Sequence, residues 1–115
     1  YQSGYFFTRE VLTWTASLYT SGGYPATHPE ISPLHGSITS KLAPAMFIIA
    51  ECDVLRDQAV AYSQRLRDSN VKVDCHYYRG VPHAFVAMAG TLEIGQEALQ
   101  DSSNRLRLAF TKDHT

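Results

Sequence analysis

Pro44 is followed by six residues, Ala45-Met46-Phe47-Ile48-Ile49-Ala50, with no polar side chain among them. A run this short and continuous is the pattern of a strand covered on both faces in a parallel sheet. The next segment supplies a crossover. From Asp57 to Ser69, Ala59, Tyr62 and Leu66 fall on one helical face, while Gln58, Gln64, Arg65, Arg67 and Asp68 take the other sides. Then Val71, Val73, Cys75 and Tyr77 alternate with Lys72, Asp74, His76 and Tyr78, the period of a half-exposed strand near a sheet edge. Strand, amphipathic helix and strand make a βαβ unit, so the fold class is α/β.

The flanks fit the same class. Thr8 is placed to cap a helix over about 9–20, in which Val11, Trp14 and Leu18 recur at helical spacing before Ser21-Gly22-Gly23. The stretch from Tyr24 to Ala43 holds three prolines and several Ser, Thr and Gly, and reads as a long loop, which inside a compact domain is more often functional than idle. Over about 92–110, Gly95, Leu99, Ser102, Leu106 and Phe110 mark one face of a closing helix expected to pack back on the sheet. Two parallel strands cannot by themselves cover these helices, and 115 residues set a ceiling of one small domain. The chain is therefore expected to be a C-terminal piece of a larger α/β domain, with 1–43 as helix and loop and 44–115 as the βαβ unit and terminal helix.

Charge narrows the partners. Ten basic and eleven acidic side chains leave a net charge of −1, which gives no field for holding nucleic acid or an anionic membrane. No apolar run approaches the roughly 20 residues that span a bilayer. Two cysteines, Cys52 and Cys75, are too few for a disulfide scaffold, and the default compartment is reducing and cytoplasmic.

In open α/β sheets, sites lie just beyond the carboxyl ends of the strands. Asp53 lies three residues past the first strand's apolar run, and His83, in Gly80-Val81-Pro82-His83-Ala84-Phe85, lies a few residues past the second, thirty positions on (83 minus 53). A βαβ unit brings both strand ends to one edge, where an Asp–His pair fixes the imidazole tautomer and stabilises the imidazolium of a general base. Either residue alone has a plainer role. An Asp there also caps the following helix, which is the reading preferred for Asp57, and a histidine after Gly-Val-Pro is commonly an ordinary loop residue. Cys52 reads as a small buried hydrophobe, and His28, His35 and His76 lack the spacing of a metal set and read as solvent-facing or locally hydrogen-bonded.

The segments "DVLRDQAVAYSQRL" and "VKVDCHYYRGVPHAF" resemble the C-terminal third of serine esterases in the hormone-sensitive-lipase-like branch of the α/β-hydrolase family, especially the bacterial acetyl esterase type. In that branch an Asp opening a D-P-L-x-D turn orients a His in an H-G-F or H-A-F turn about thirty residues later, and Asp53 and His83 occupy those places. Looser likeness runs through "ISPL", the first helix and the final "EALQ" helix. The resemblance implies a Ser-His-Asp triad whose Ser precedes residue 1, acting without cofactor or metal on small short-acyl esters. It also implies that the remainder of the hydrolase domain is this segment's structural partner, and that the segment alone is inactive. The first helix and the loop from Tyr24 to Leu34 would border the cap.

Departures from the pattern are Val54 for a frequent Pro and Ala84 for a frequent Gly, neither of which removes a catalytic atom. The sequence contains no G-x-S-x-G elbow and no H-G-G-G run, and neither Ser3 nor Ser21 has the strand-to-helix setting of a nucleophile. Trp14, Tyr19, Phe85 and Met88 fit a core as well as an acyl pocket. A non-catalytic ligand receptor on the same fold, or an interaction module pairing through an exposed strand edge, are the alternatives; a homo-oligomer is compatible with each.

Overall fold

The computed structural model describes residues 4, 6–21 and 23–111. Ser3 and Gly22 lie outside them. Helix α1 (Arg9–Tyr19) is followed by a loop containing a 3-10 turn at Pro33–His35, strand β1 (Ala45–Cys52), helix α2 (Arg56–Asp68), strand β2 (Val73–Pro82), a second 3-10 turn at Phe85–Met88, and helix α3 (Glu93–Thr111). β1 and β2 pair in parallel, from Ala45 opposite Val73 to Ala50 opposite Tyr78. The βαβ unit expected from the sequence is present, and with it the α/β class.

The two faces of the sheet take different helices. Phe47, opposite Cys75, meets Tyr62 of α2 edge to face at 6.0 Å, and Arg67 of α2 donates to Cys75 Sγ at 2.9 Å. Ala59, Tyr62, Ser63 and Leu66 form the covered stripe of α2, as the periodicity indicates. The alternate positions face α3. Tyr78 donates to Asp101 at 2.6 Å, His76 lies 3.4 Å from both Asp74 and Asp101, and Arg105 pairs with Asp74 at 2.9 Å. The core is Ala50, Tyr78, Val81, Phe85 and Ala98, with Ile48, Val86 and Ile94 against it, so it lies beneath the carboxyl ends of both strands. Burying Phe85 alone contributes about 3 kcal/mol of apolar transfer.

α2 ends in a Schellman arrangement. Val71 N–H donates to Leu66 O and Asn70 N–H to Arg67 O, with Asn70 left-handed at φ 61° and the buried side chains of Val71 and Leu66 at the closing positions. That cap consumes Val71, which is why β2 begins at Val73 and not at 71 as its alternation suggests. β2 also runs on to Pro82, and its burial is not the expected one: Tyr78 is buried against Phe85, at a ring distance of 5.1 Å, while Tyr77 is exposed. The 3-10 turn and α3 cover the carboxyl end on the Tyr78 side.

Two helix faces also differ from expectation. Of the face expected for α3, Gly95 is buried and Ser102 half-buried, but Leu99, Leu106 and Phe110 are exposed, and the helix docks through Gly95 and Ala98. A Cβ on Gly95 would stand 2.9 Å from the Phe85 carbonyl oxygen and 3.1 Å from Ala89 N and Cα, so the close approach needs glycine. α1 has its Thr8 cap, with Val11 N–H donating to Oγ1 at 3.4 Å, yet buries none of its residues. Trp14 is 63% exposed, and the half-buried side of α1 is Leu12 and Thr15, which with Ile31, Leu34 and Gln58 bound a cavity of about 710 Å³. Among the described residues no helix is long and apolar enough to cross a membrane.

Candidate active site

The site is made by a change of register. Up to Ala50–Tyr78 the strands pair at an offset of 28 (78 minus 50), and at Cys52–Pro82 the offset is 30 (82 minus 52). β2 therefore carries two extra residues over this step. Gly80, in the bulge, has φ +71°, a conformation that L side chains rarely adopt, and its N–H donates to the Glu51 carboxylate at 2.8 Å. Continuing the offset of 30 by one residue sets His83 against Asp53.

The two side chains meet there. His83 Nδ1 lies 2.8 Å from Asp53 Oδ2. The second carboxylate oxygen, Oδ1, accepts the Leu55 N–H at 2.8 Å, and the Asp53 carbonyl accepts the Arg56 N–H at 3.2 Å. Asp53 thus forms an Asx turn leading into α2 and meets the histidine with the other oxygen of the same carboxylate, while the cap position of α2 is Leu55, which makes no side-chain capping bond. Asp57 sits in the first turn of α2 and pairs with Arg56 at 2.9 Å on the surface, in keeping with a helix-end role.

An ionised carboxylate can only accept, so Nδ1 carries the imidazole proton and Nε2 presents its lone pair. Among the described residues Nε2 has no hydrogen-bonding partner. The Asp53 side chain is 14% exposed and that of His83 34%, which shields the pair on the Asp side and leaves the ring open at its far edge. The turn bearing His83 is fixed from both ends by buried neighbours, Val81 before it and Phe85 after it. Between them Ala84 is left-handed at φ 61°, the conformation in which glycine is favoured. Substituting Ala for Gly at this turn is therefore not conformationally neutral. Phe7 stacks on the His83 ring at 4.6 Å and 29° between planes.

Other sequence candidates fall into plain roles. Cys52 is buried and Cys75 half-buried, and both are free thiols. His35 Nδ1 is 2.9 Å from Ser32 Oγ, the His28 ring takes the Glu30 N–H at 3.4 Å, and His76 is held by its two aspartates. Phe85 is core, and Trp14 and Tyr19 are exposed. No group of three or more His, Cys, Asp or Glu side chains converges as a metal cage among the described residues. Two contacts at the site escaped the sequence reading. A glycine inside a strand pattern is a recognised bulge signal, and Gly80 carried it. Nothing in local sequence links Phe7 to His83.

Known proteins share this arrangement of elements. A family model described as the alpha/beta hydrolase fold matches residues 1–87. The ethyl acetate hydrolase of Pseudomonas putida is 39% identical over 99 residues, which are 86% of this chain and 31% of that protein. The hormone-sensitive lipase of Mus musculus is 29% identical over 96 residues, 82% of this chain and 12% of the lipase. The esterase of Pyrobaculum calidifontis superposes with a TM-score of 0.75 at 29% identity, covering 86% of this chain and 32% of the esterase. The chain spans less than a third of the length of the two curated relatives. With the fold and the residue match in agreement, the chain belongs to the α/β-hydrolase fold family, among relatives that include carboxylic ester hydrolases and a hormone-sensitive lipase.

Proposed function

We propose that this chain supplies the acid–base half of a serine carboxylesterase, with Asp53 and His83 as two members of a Ser-His-Asp triad. The Ser would come from the part of the polypeptide preceding residue 1, and 1–115 would form the C-terminal segment of a single hydrolase domain. The observation that carries this reading is the 2.8 Å contact between His83 Nδ1 and Asp53 Oδ2 at the carboxyl edge of a parallel sheet. Relatives that include an ethyl acetate hydrolase and an arylesterase favour small esters as substrates and short acyl groups in the bacterial acetyl esterase manner.

The chemistry is a double acyl transfer. His83 Nε2 takes the proton from the serine hydroxyl as Oγ forms its bond to the ester carbonyl carbon, and Asp53 stabilises the imidazolium so formed. As the tetrahedral intermediate collapses, the carbon–alkoxide bond breaks and Nε2 returns the proton to the leaving oxygen. Water then repeats the sequence on the acyl-enzyme, releasing the acid and restoring Ser. No step requires a metal or an organic cofactor.

The test uses the intact polypeptide with a serine-reactive phosphonate and p-nitrophenyl acetate. The expected result is ester turnover that stops on labelling of one serine upstream of Tyr1. Labelling of a serine within 1–115, or turnover unaffected by complete labelling, contradicts the proposal.

A further inference from the structure

We infer that Glu51 is a positioning residue for His83, acting through the Gly80 bulge. This rests on the reading of Asp53 and His83 as the acid–base pair. The register makes the dependence explicit. Were the offset of 28 seen at Ala50–Tyr78 to continue, Val81 would stand opposite Asp53 (53 plus 28) and His83 would overshoot it by two residues. Along a strand, two residues are about 7 Å, far beyond hydrogen-bond reach. The two extra residues of β2 bring His83 into line with Asp53, which it then meets at 2.8 Å.

A bulge leaves ladder groups without their strand partners, and this one satisfies a backbone donor with a side chain. The Gly80 N–H goes to Glu51 Oε2 at 2.8 Å, across the strands. Glycine is suited to the position by conformation and not by space: φ is +71°, and a Cβ built there meets nothing within 4 Å. Glu51 is itself anchored next to the site, because its carbonyl accepts from Arg56 Nη1 at 3.4 Å at the start of α2, three residues beyond Asp53. One side chain of β1 thus fixes the bulge of β2 from the strand that leads into Asp53, two residues before it. The charged acceptor makes this hydrogen bond stronger than a neutral one, though its exposure moderates the gain.

The consequence lies in the reaction step, not in substrate binding, since neither Glu51 nor Gly80 carries a reacting atom. The experiment uses the intact protein and compares Glu51→Ala, Glu51→Gln and Gly80→Ala with the unaltered enzyme on p-nitrophenyl acetate. It is read with the low-field proton NMR signal of the His83–Asp53 hydrogen bond. Glu51→Ala is expected to lower kcat by about 10- to 100-fold, as misplacement of a catalytic group does, with KM within about twofold. The low-field signal should broaden or vanish. Glu51→Gln keeps an acceptor oxygen and should restore kcat to within about threefold, while Gly80→Ala, which strains the bulge from the other side, should repeat the Ala result. Unchanged kcat and an unchanged low-field signal in Glu51→Ala overturn the inference. So does a Glu51→Gln variant as impaired as Glu51→Ala. His83→Ala is the separate control: if it keeps full activity the acid–base reading itself fails, whereas its inactivity beside an unaffected Glu51→Ala defeats the Glu51 role alone.

Discussion

Asp53 holds two hydrogen-bonding jobs on two oxygens, and two substitutions separate them. In Asp53→Asn the amide oxygen can still accept the Leu55 N–H, and Asn is as apt as Asp in an Asx turn, so the entrance to α2 should survive. Facing His83, however, the former Oδ2 becomes an NH₂ donor, and a donor there forces Nδ1 to accept. The imidazole proton moves to Nε2, which removes the lone pair that would take the serine proton, and the stabilising charge is lost as well. For a triad the expected fall in kcat is about 10⁴-fold, equivalent to about 5.4 kcal/mol of transition-state stabilisation. Asp53→Ala should lose as much activity and in addition the turn hydrogen bond, costing about 0.5–2 kcal/mol of stability, the range of a lost side-chain cap. The assays are p-nitrophenyl acetate hydrolysis and urea unfolding of the intact protein. Asp53→Asn should unfold within about 0.5 kcal/mol of the unaltered protein while Asp53→Ala unfolds earlier. An Asp53→Asn variant within tenfold of full activity would refute the tautomer argument, and equal stability of both variants would refute the turn role.

The remaining expectations concern how the site is held. Ala84→Gly should stabilise the protein by about 0.5–1 kcal/mol in urea unfolding, because relief of the left-handed φ of 61° outweighs the added freedom of the unfolded chain. Gly95→Ala should destabilise by about 1 kcal/mol although helix propensity alone favours Ala by a similar amount, since the new Cβ meets fixed backbone of Phe85 and Ala89; a rise in the urea midpoint would show that α3 can shift without cost. Burial first, then the hydrogen bond to Asp101, raise the Tyr78 hydroxyl above the ordinary phenol value of 10.0. The unfolded chain thus releases this proton at lower pH than the folded one, so its stabilisation is complete below pH 10 and is lost as pH rises through the higher folded value. Urea midpoints measured above pH 10 should fall more steeply in the unaltered protein than in Tyr78→Phe, and parallel curves would contradict the assignment.

Much of this was legible from the residues. The apolar run 45–50, the stripe Ala59-Tyr62-Leu66 and the strand-end rule were enough to place Asp53 and His83 at one edge, because each signal is local or follows from βαβ topology. What escaped depends on contacts between segments distant in sequence. The face expected for α3 holds at Gly95 and Ser102 but not at its larger apolar residues Leu99, Leu106 and Phe110, because small residues at Gly95 and Ala98 set the closest approach. α1 was likewise assigned Val11, Trp14 and Leu18, which the described residues leave exposed. These outward apolar faces agree with a segment that spans about a third of the length of its hydrolase relatives. The β2 alternation misled because a Schellman cap removes its first residues and a bulge interrupts its last; Asn70 and Gly80 are the residues that signalled each.

The proposed chemistry depends on His83 as the base. The measurement that addresses this most directly is steady-state ester hydrolysis by the intact protein carrying His83→Ala, with folding checked by urea unfolding. Loss of kcat on the order of 10⁶-fold, the scale at which a triad loses its histidine, is the predicted result. A folded His83→Ala variant that hydrolyses p-nitrophenyl acetate within tenfold of the unaltered enzyme would contradict it.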